Sequence, residues 1–141
     1  MKLFQARIVT ANVAVLTRFY HEITGVTPIG GEDYVEFEMM GGGLAISSKR
    51  SIDAFGAGAA SPGSNRSMIL DFQVEDVDRE RLRLADIVPD FVLEPTNQPW
   101  GNRSMLFRDP DGNLINIFAP IDDQAGALSN PNPSGESLGL I

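Results

Sequence analysis

The sequence predicts an α+β fold built from two βαβββ modules, and three observations support this prediction. The predicted order of one strand, one helix and three strands occurs twice within 141 residues. A residue that can cap a helix, Asn12 or Asp76, follows the first strand of each module. Glycine turns precede the last strand of each module, at Gly41 and at Gly112. Matching the caps Asn12 and Asp76 gives a repeat of about 60 to 65 residues, and matching the turn glycines places Phe107 on Glu36 and Asn116 on Ala45.

The first module is assigned to residues 1–50. Residues 3–10 predict a strand that ends in β-branched side chains. A helix follows, because Val13, Leu16, Tyr20 and Ile23 recur at the spacing of one helical face and Gly25 can end it. Three further strands are predicted at residues 27–31, 33–40 and 44–48.

Residues 51–66 predict a linker rich in Gly, Ala and Ser, with at most a short helical turn at 52–55. The second module is assigned to residues 67–119. Its first strand is predicted at 68–74, and the helix capped by Asp76 carries Val77, Leu82, Ala85 and Ile87 as its apolar residues. Later strands are predicted at 91–94, 103–108 and 114–118, and residues 120–141 form a polar tail.

The turn before the last strand carries the strongest local signal. Pro110 fixes a backbone angle, Asp111 can bond its own backbone, and Gly112 allows the positive φ of a tight reversal. These residues predict a hairpin. On the strand that leaves it, alternation places Leu114, Asn116 and Phe118 on one face, and Ile115 and Ile117 on the other.

Composition excludes several classes of function. The chain has no cysteine, which excludes thiolate catalysis and thiolate metal sites. Its formal charge of −8 argues against a nucleic-acid partner. No stretch is apolar for long enough to span a membrane, and the first residues lack the pattern of a signal peptide, so we expect no membrane partner and a cytoplasmic location.

Three stretches carry a resemblance to a known family: residues 18–20 ahead of Gly25, residues 74–78 at the second helix entry, and residues 107–113 at the last turn. With both modules, they resemble the vicinal oxygen chelate superfamily of glyoxalase I, extradiol dioxygenases, fosfomycin-resistance enzymes and bleomycin-resistance proteins. The resemblance spans residues 3–119. It implies that the modules form a U-shaped mixed sheet with helices on the convex face and a ligand cavity on the concave face.

Metal-using members of that superfamily take ligands from the first and last strand of each module. The resemblance maps these positions to Gln5, Ala45, Ile69 and Asn116. Alanine and isoleucine offer no lone pair, and the two amides offer only neutral oxygens, whereas a divalent ion prefers several anionic or imidazole ligands. We therefore expect no metal there and no cofactor. The single histidine, His21, lies off the predicted core face of the first helix and is expected to be solvated.

Alternation along the strands then names the side chains that would line the cavity. Arg7 faces the same way as Gln5, and Asp71 faces the same way as Ile69. Arg7 and Asp71 are each expected to pair with the other or with a neighbouring polar group such as Gln5, Gln73 or Asn116. Glu36, Glu38 and Asp71 form an acidic wall, unless the strand face of Glu36 and Glu38 is simply solvated. Trp100 is either a lid over the ligand or a packing residue. The predicted ligand-binding residues are Gln5, Arg7, Tyr34, Glu36, Glu38, Ile69, Asp71, Trp100, Met105, Phe107, Asn116 and Phe118.

Two main functions remain open from the sequence. The first is a protein of the bleomycin-resistance kind that binds a small cationic or amphipathic molecule without the usual metal. The alternative is an enzyme of the lyase, epimerase or dioxygenase type, using a metal held elsewhere or acid–base chemistry by Glu36 or Asp71. A protein-interaction module is a third reading. We further expect a homodimer, fastened by the tail through Leu138, Leu140 and Ile141.

Overall fold

A computed structural model describes residues 1–121 of the chain, apart from the side chain of Phe55. The predictions for Leu138, Leu140 and Ile141 lie outside the described residues. The elements are β1 (Gln5–Thr10), α1 (Val13–Thr24), β2 (Ile29–Gly30), β3 (Tyr34–Met39), β4 (Gly42–Ser48), α2 (Lys49–Gly56), β5 (Ile69–Gln73), α3 (Val77–Arg83), β6 (Phe91–Asn97), β7 (Asn102–Arg108) and β8 (Leu114–Pro120). No described helix is both long and apolar enough to cross a bilayer.

The chain divides into two compact units. The first comprises Met1–Met68 together with the turn Asp109–Asn113, and the second comprises Ile69–Arg108 and the chain from Leu114. Each unit holds one four-stranded mixed sheet, ordered β1-β4-β3-β2 in the first and β5-β8-β7-β6 in the second. In both sheets the first and last strands of the module pair in parallel, and the remaining neighbours are antiparallel. The predicted α+β class and the double βαβββ order are confirmed.

Both predicted helix caps are confirmed. The Asn12 side chain accepts a hydrogen bond from the Val15 N–H at 3.1 Å, and the Asp76 side chain accepts one from the Arg79 N–H at 3.0 Å. Gly25 ends α1 with a φ of 72°, a conformation that glycine adopts without a steric cost. These caps fix where each module turns from its first strand into its helix.

Helix α1 covers one face of the first sheet. Leu16 and Tyr20 are fully buried, as the apolar spacing predicts. The Tyr20 ring meets the Phe37 ring of β3 edge to face, with 6.4 Å between centroids. Val35 and Phe37 therefore point toward the helix, and alternation places Tyr34, Glu36 and Glu38 on the opposite face.

Two helical predictions are wrong in detail. The start of the predicted linker lies within a full helix, α2, rather than a short helical turn. Ser48 caps this helix by accepting the Ser51 N–H, and Ile52 of the helix is buried. In the second unit, Leu82 is 78% exposed, and the buried residues are Val77, Leu84 and Val88. Leu84 follows Val77 by seven residues and Val88 follows Leu84 by four, and both spacings return to the same side of a helix. Leu82 follows Val77 by five residues and therefore faces another side.

The turn Asp109–Asn113 joins β7 to β8 as the predicted hairpin, but its internal bonding differs from the prediction. Asp109, rather than Asp111, bonds the turn backbone, and its Oδ1 accepts the N–H groups of Asp111 and Asn113 at 2.9 Å each. Gly112 has a φ of 88°, as predicted for a tight reversal.

Asp109 also fastens the turn to α1. Its Oδ2 accepts the Tyr20 hydroxyl at 2.6 Å and the Asn113 side-chain amide at 2.8 Å. Tyr20 and Asp109 are both buried. Burial, reinforced by the negative charge of Asp109, raises the pKa of the Tyr20 hydroxyl far above its ordinary value. Tyr20 is therefore held as a neutral hydrogen-bond donor.

Candidate functional site

The first sheet has an open face, which is the side opposite α1. Arg7 and Glu36 are both in register with Ala45, so the three side chains project from the same face. The common face predicted for β1 and β3 is observed. The open face of the first sheet carries Gln5, Arg7, Tyr34, Glu36, Glu38 and Ala45.

Hydrogen bonds link the polar side chains of this face. Gln5 Nε2 donates to the Tyr34 hydroxyl at 2.9 Å, and that hydroxyl donates to Glu36 Oε1 at 2.7 Å. The Arg7 guanidinium lies 5.8 Å from the centroid of the Tyr34 ring, a cation–π distance. Because Gln5 uses its amide nitrogen here, its carbonyl oxygen and the second oxygen of Glu36 are left as acceptors. The network therefore presents acceptors on a half-buried surface.

The open face of the second sheet, on the side opposite α3, is more apolar. Its side chains come from β5, β7 and β8 and are Ile69, Asp71, Gln73, Ser104, Leu106, Arg108, Leu114, Asn116 and Phe118. Asp71 is in register with Asn116, and Asn116 Nδ2 donates to Asp71 Oδ1 at 2.9 Å. The prediction that Asp71 is held by a neighbouring polar group is confirmed. Asn116 is only 6% exposed, and its Oδ1 has no hydrogen-bond partner among the described residues.

The predicted placement of Met105 and Phe107 on this open face is wrong. Both side chains are fully buried on the opposite face, where they are in register with Ile117 and Ile115. The Phe107 ring packs edge to face against Phe91, with 5.7 Å between centroids. These two residues therefore belong to the core beneath α3.

The error comes from the length of one turn. In the first module Glu38 pairs with Gly43 across residues 39–42, whereas in the second Arg108 pairs with Leu114 across 109–113, one residue more. Matching the turn glycines aligned Phe107 with Glu36, but the register makes Leu106 the equivalent of Glu36. Because side chains alternate, a shift of one residue moves every side chain of β7 to the other face.

The four positions mapped to metal ligands do not fit a divalent ion. Their equivalence holds in the register, because Gln5 pairs with Gly43 and Ile69 pairs with Leu114 at the same step of the two sheets. Ala45 and Ile69 supply no ligand atom, and an amide nitrogen of Asn116 is engaged with Asp71. Among the described residues, no group of three or more His, Cys, Asp and Glu side chains could hold a metal. We derive no chemistry through a metal.

Two further residues considered in the sequence lie outside the strands. His21 is exposed on α1, with its Nδ1 at 2.8 Å from the Val26 carbonyl oxygen, and its solvated position is as predicted. Trp100 lies half-buried in the turn between β6 and β7, next to Gly101 with a φ of 97°. The two roles predicted for Trp100 from the sequence, a lid over a ligand or a packing residue, both stay predictions.

Sequence reasoning missed a cleft of about 970 Å³ in the first unit. The cleft is lined by the first turns of α1 and α2 and by the turn between β2 and β3, and it includes His21. Arg50 binds Asp33 there with nitrogen–oxygen distances of 2.8 and 3.1 Å, which holds the pKa of Asp33 below its usual range. Residues separated this far in sequence give no local pattern that would reveal such a cleft.

Comparison with known proteins identifies relatives. The model of the Glyoxalase/Bleomycin resistance protein/Dioxygenase superfamily matches residues 2–117. A glyoxalase/bleomycin resistance protein/dioxygenase from Nocardioides is 22% identical, with a TM-score of 0.72 and 86% of this chain and 85% of that chain covered. A glyoxalase-related enzyme from Fulvimarina pelagi is 20% identical, with a TM-score of 0.72 and coverages of 84% and 88%. A glyoxalase/bleomycin resistance protein/dioxygenase family enzyme from Burkholderia phytofirmans PsJN is 15% identical, with a TM-score of 0.77 and coverages of 86% and 100%. No curated protein matches the sequence.

Proposed function

Because the chain belongs to the Glyoxalase/Bleomycin resistance protein/Dioxygenase superfamily, we propose that it binds a small organic molecule on an open sheet face without the metal used by many members. The proposed ligand is cationic or amphipathic. The observation that carries the proposal is the identity of the residues at the mapped ligand positions, where Ala45 and Ile69 supply no donor atom in either unit.

The open face of each unit, taken by itself, offers groups that suit a cationic or amphipathic ligand. In the first unit, Glu36 and Glu38 bring negative charge, and the Tyr34 hydroxyl fixes the orientation of Glu36. In the second unit, Leu114 and Phe118 are half-buried and offer apolar surface beside Asp71. Acidic acceptors next to apolar surface suit an organic cation.

The alternative of a metal-dependent lyase, epimerase or dioxygenase needs ligands that the described residues do not bring together.

A homodimer remains part of our proposal. Each sheet ends in an edge strand within its own unit, β2 or β6, and the exposed side chains there include Ile29 and Val92. Those edges offer backbone groups to a second copy of the chain.

A thermal-shift screen of the full chain tests the proposed function. The panel contains amphipathic cations, neutral analogues and anions, each measured with and without a chelator. A ligand at about 100 times its Kd stabilises the folded state by about 2.7 kcal/mol, so saturating cations are expected to raise Tm by several degrees whether or not chelator is present. Glu36→Gln should reduce the shift, while Glu75→Gln, which removes an exposed carboxylate outside the open faces, should not. A tightly held stoichiometric transition metal, or shifts abolished by the chelator, would contradict the proposal.

A further inference from the structure

The amide of Asn116 holds an unused acceptor on the open face of the second sheet. A carboxylate can only accept hydrogen bonds, so the amide nitrogen of Asn116 must be the group that faces Asp71. Its carbonyl oxygen is consequently directed away from Asp71, and it has no partner among the described residues. Leaving a buried acceptor unpaired is costly, and such a group in a folded protein calls for an explanation.

Asp71 itself is an exposed carboxylate without a cation. No ion pair to Asp71 is found within the described residues, although Asp33, Asp78 and Glu94 are each bound by an arginine. The single hydrogen bond at Asp71 goes to Oδ1, and Oδ2 accepts none from that part of the chain. The Asn116 amide thus holds one oxygen of the carboxylate and leaves the other toward solvent.

The surroundings of this pair are apolar on one side. Ile69 is 49% exposed, and Leu106 and Phe118 are half-buried on the same face. Arg108 projects from this face in register with Leu114. A ligand held at Asp71 would extend its apolar part along Leu106 and Phe118.

We infer that Asp71 and Asn116 form a seat for the primary ammonium group of an amine that carries an apolar body. This inference rests on the proposed function and names its ligand class. Asp71 supplies the charge and its free Oδ2, and Asn116 positions Asp71 and offers Oδ1 as a second acceptor. Reaching Asn116 Oδ1 requires a neighbouring side chain to turn, because this oxygen has almost no exposed surface.

The geometry favours an ammonium group over a guanidinium. A guanidinium binds best when both oxygens of a carboxylate are available side by side, and here Asn116 already takes one of the two acceptor positions on Oδ1 of Asp71. An ammonium carries three donors in a compact tetrahedral arrangement, which can satisfy acceptors on two different side chains. The position mapped to a metal ligand of the superfamily would thus serve an organic cation.

Nuclear magnetic resonance of the isotopically labelled full chain tests the seat. The probes are 2-phenylethylammonium, the neutral 2-phenylethanol and the anionic 3-phenylpropionate. The ammonium probe is expected to shift the side-chain amide signals of Asn116 and to bind about tenfold more tightly than the alcohol. Asp71→Asn should weaken ammonium binding about tenfold, and Asp86→Asn, which removes an exposed carboxylate elsewhere in the second unit, should leave it unchanged.

Asn116→Leu separates positioning from packing. This variant keeps the charge of Asp71 and a side chain of similar volume, so the preference for ammonium over alcohol should shrink while apolar binding persists. Equal affinities for ammonium and alcohol, or equal effects of Asp71→Asn and Asp86→Asn, would overturn the inference and leave small-molecule binding in place. Absence of binding by every probe, together with a ligand found in the thermal-shift screen, would also overturn it.

Discussion

The hydrogen bond between Tyr20 and Asp109 gives a quantitative prediction about stability. Tyr20→Phe removes one donor from the buried carboxylate and keeps the ring that packs against Phe37. A hydrogen bond to a charged group contributes about 1.5–3 kcal/mol. Asp109 retains three other donors, from Asp111 and Asn113, so we expect a loss near the lower end, about 1–2 kcal/mol.

Asp109→Ala should be more damaging than Tyr20→Phe. It removes the acceptor of four hydrogen bonds and leaves the Tyr20 hydroxyl buried without a partner. Such a change belongs to the class of large losses, about 3–5 kcal/mol. Urea unfolding followed by circular dichroism measures both variants, and adding Tyr20→Phe to Asp109→Ala should cost little more, because the two residues share one network.

The same contact predicts a loss of stability in alkali. The pKa of Tyr20 is raised in the folded state above its unfolded value of about 10. A neutral hydroxyl is therefore favoured by folding, and its stabilising contribution is complete below pH 10 and is lost as the pH rises above it. Each pH unit in that range should cost up to about 1.4 kcal/mol for this one proton.

Unfolding measured between pH 9 and pH 11 checks this expectation. Tyr20→Phe should flatten the alkaline slope relative to the unchanged protein. Tyr34→Phe is the matched control, because it removes a tyrosine hydroxyl on the half-exposed open face, outside the turn. Unchanged stability and an unchanged alkaline slope in Tyr20→Phe, or an equal flattening of the slope in the control, would contradict this prediction.

Three further predictions concern metal, acid and assembly. Adding nickel, zinc, manganese or iron should not raise the Tm of the unchanged protein. The double variant Ile69→His with Asn116→Glu introduces two ligands on adjacent strands, so its Tm should rise when metal is added. An equal rise in the unchanged protein would contradict the ligand mapping. The pKa of Asp33 is lowered by Arg50, so this pair stabilises the fold above the unfolded pKa and the effect is lost as the pH falls through the folded value; Arg50→Gln should weaken the acid dependence of unfolding, and an unchanged acid profile would argue against it. Light scattering at micromolar concentration should show a homodimer that truncation after Pro120 weakens, and a monomer would refute this expectation.

Local rules were enough to predict most of the fold. Asn12, Asp76 and Gly25 are placed by cap chemistry, and the apolar spacing of α1 identifies its buried face. The predicted α2 is too short because the small-residue composition of the linker gives no helical signal, whereas Ser48 caps a helix there. The predicted face of α3 is wrong because the helix ends at Arg83 and the buried residues Leu84 and Val88 follow it.

The sequence predicts the side chains of the candidate site correctly only on strands whose facing does not depend on the length of a turn. Alternation from the mapped positions Gln5 and Ile69 predicts the faces of Arg7 and Asp71 correctly, and the apolar row of β3 does the same for Glu36. Met105 and Phe107 were misplaced by one residue in the turn that precedes β8, a length that the turn glycine does not reveal. Hydrogen bonds such as Gln5 to Tyr34 depend on how side chains lean along the sheet, which sequence alternation does not specify.

The residues that identify the superfamily in this chain are different from those proposed to bind its ligand. Both carboxylate oxygens of Asp109 are engaged in internal hydrogen bonds, and the Asn113 amide bonds Asp109 and Asn65, so the turn motif serves to join the hairpin to α1. A buried and fully bonded carboxylate has little capacity left for a ligand. Asn116, the third residue of β8, lies on the open face, and its Oδ1 has no hydrogen-bond partner in the part of the chain that the structure describes. The motif is therefore evidence for the fold, whereas the side chains of the open faces supply the groups that we propose to bind a ligand.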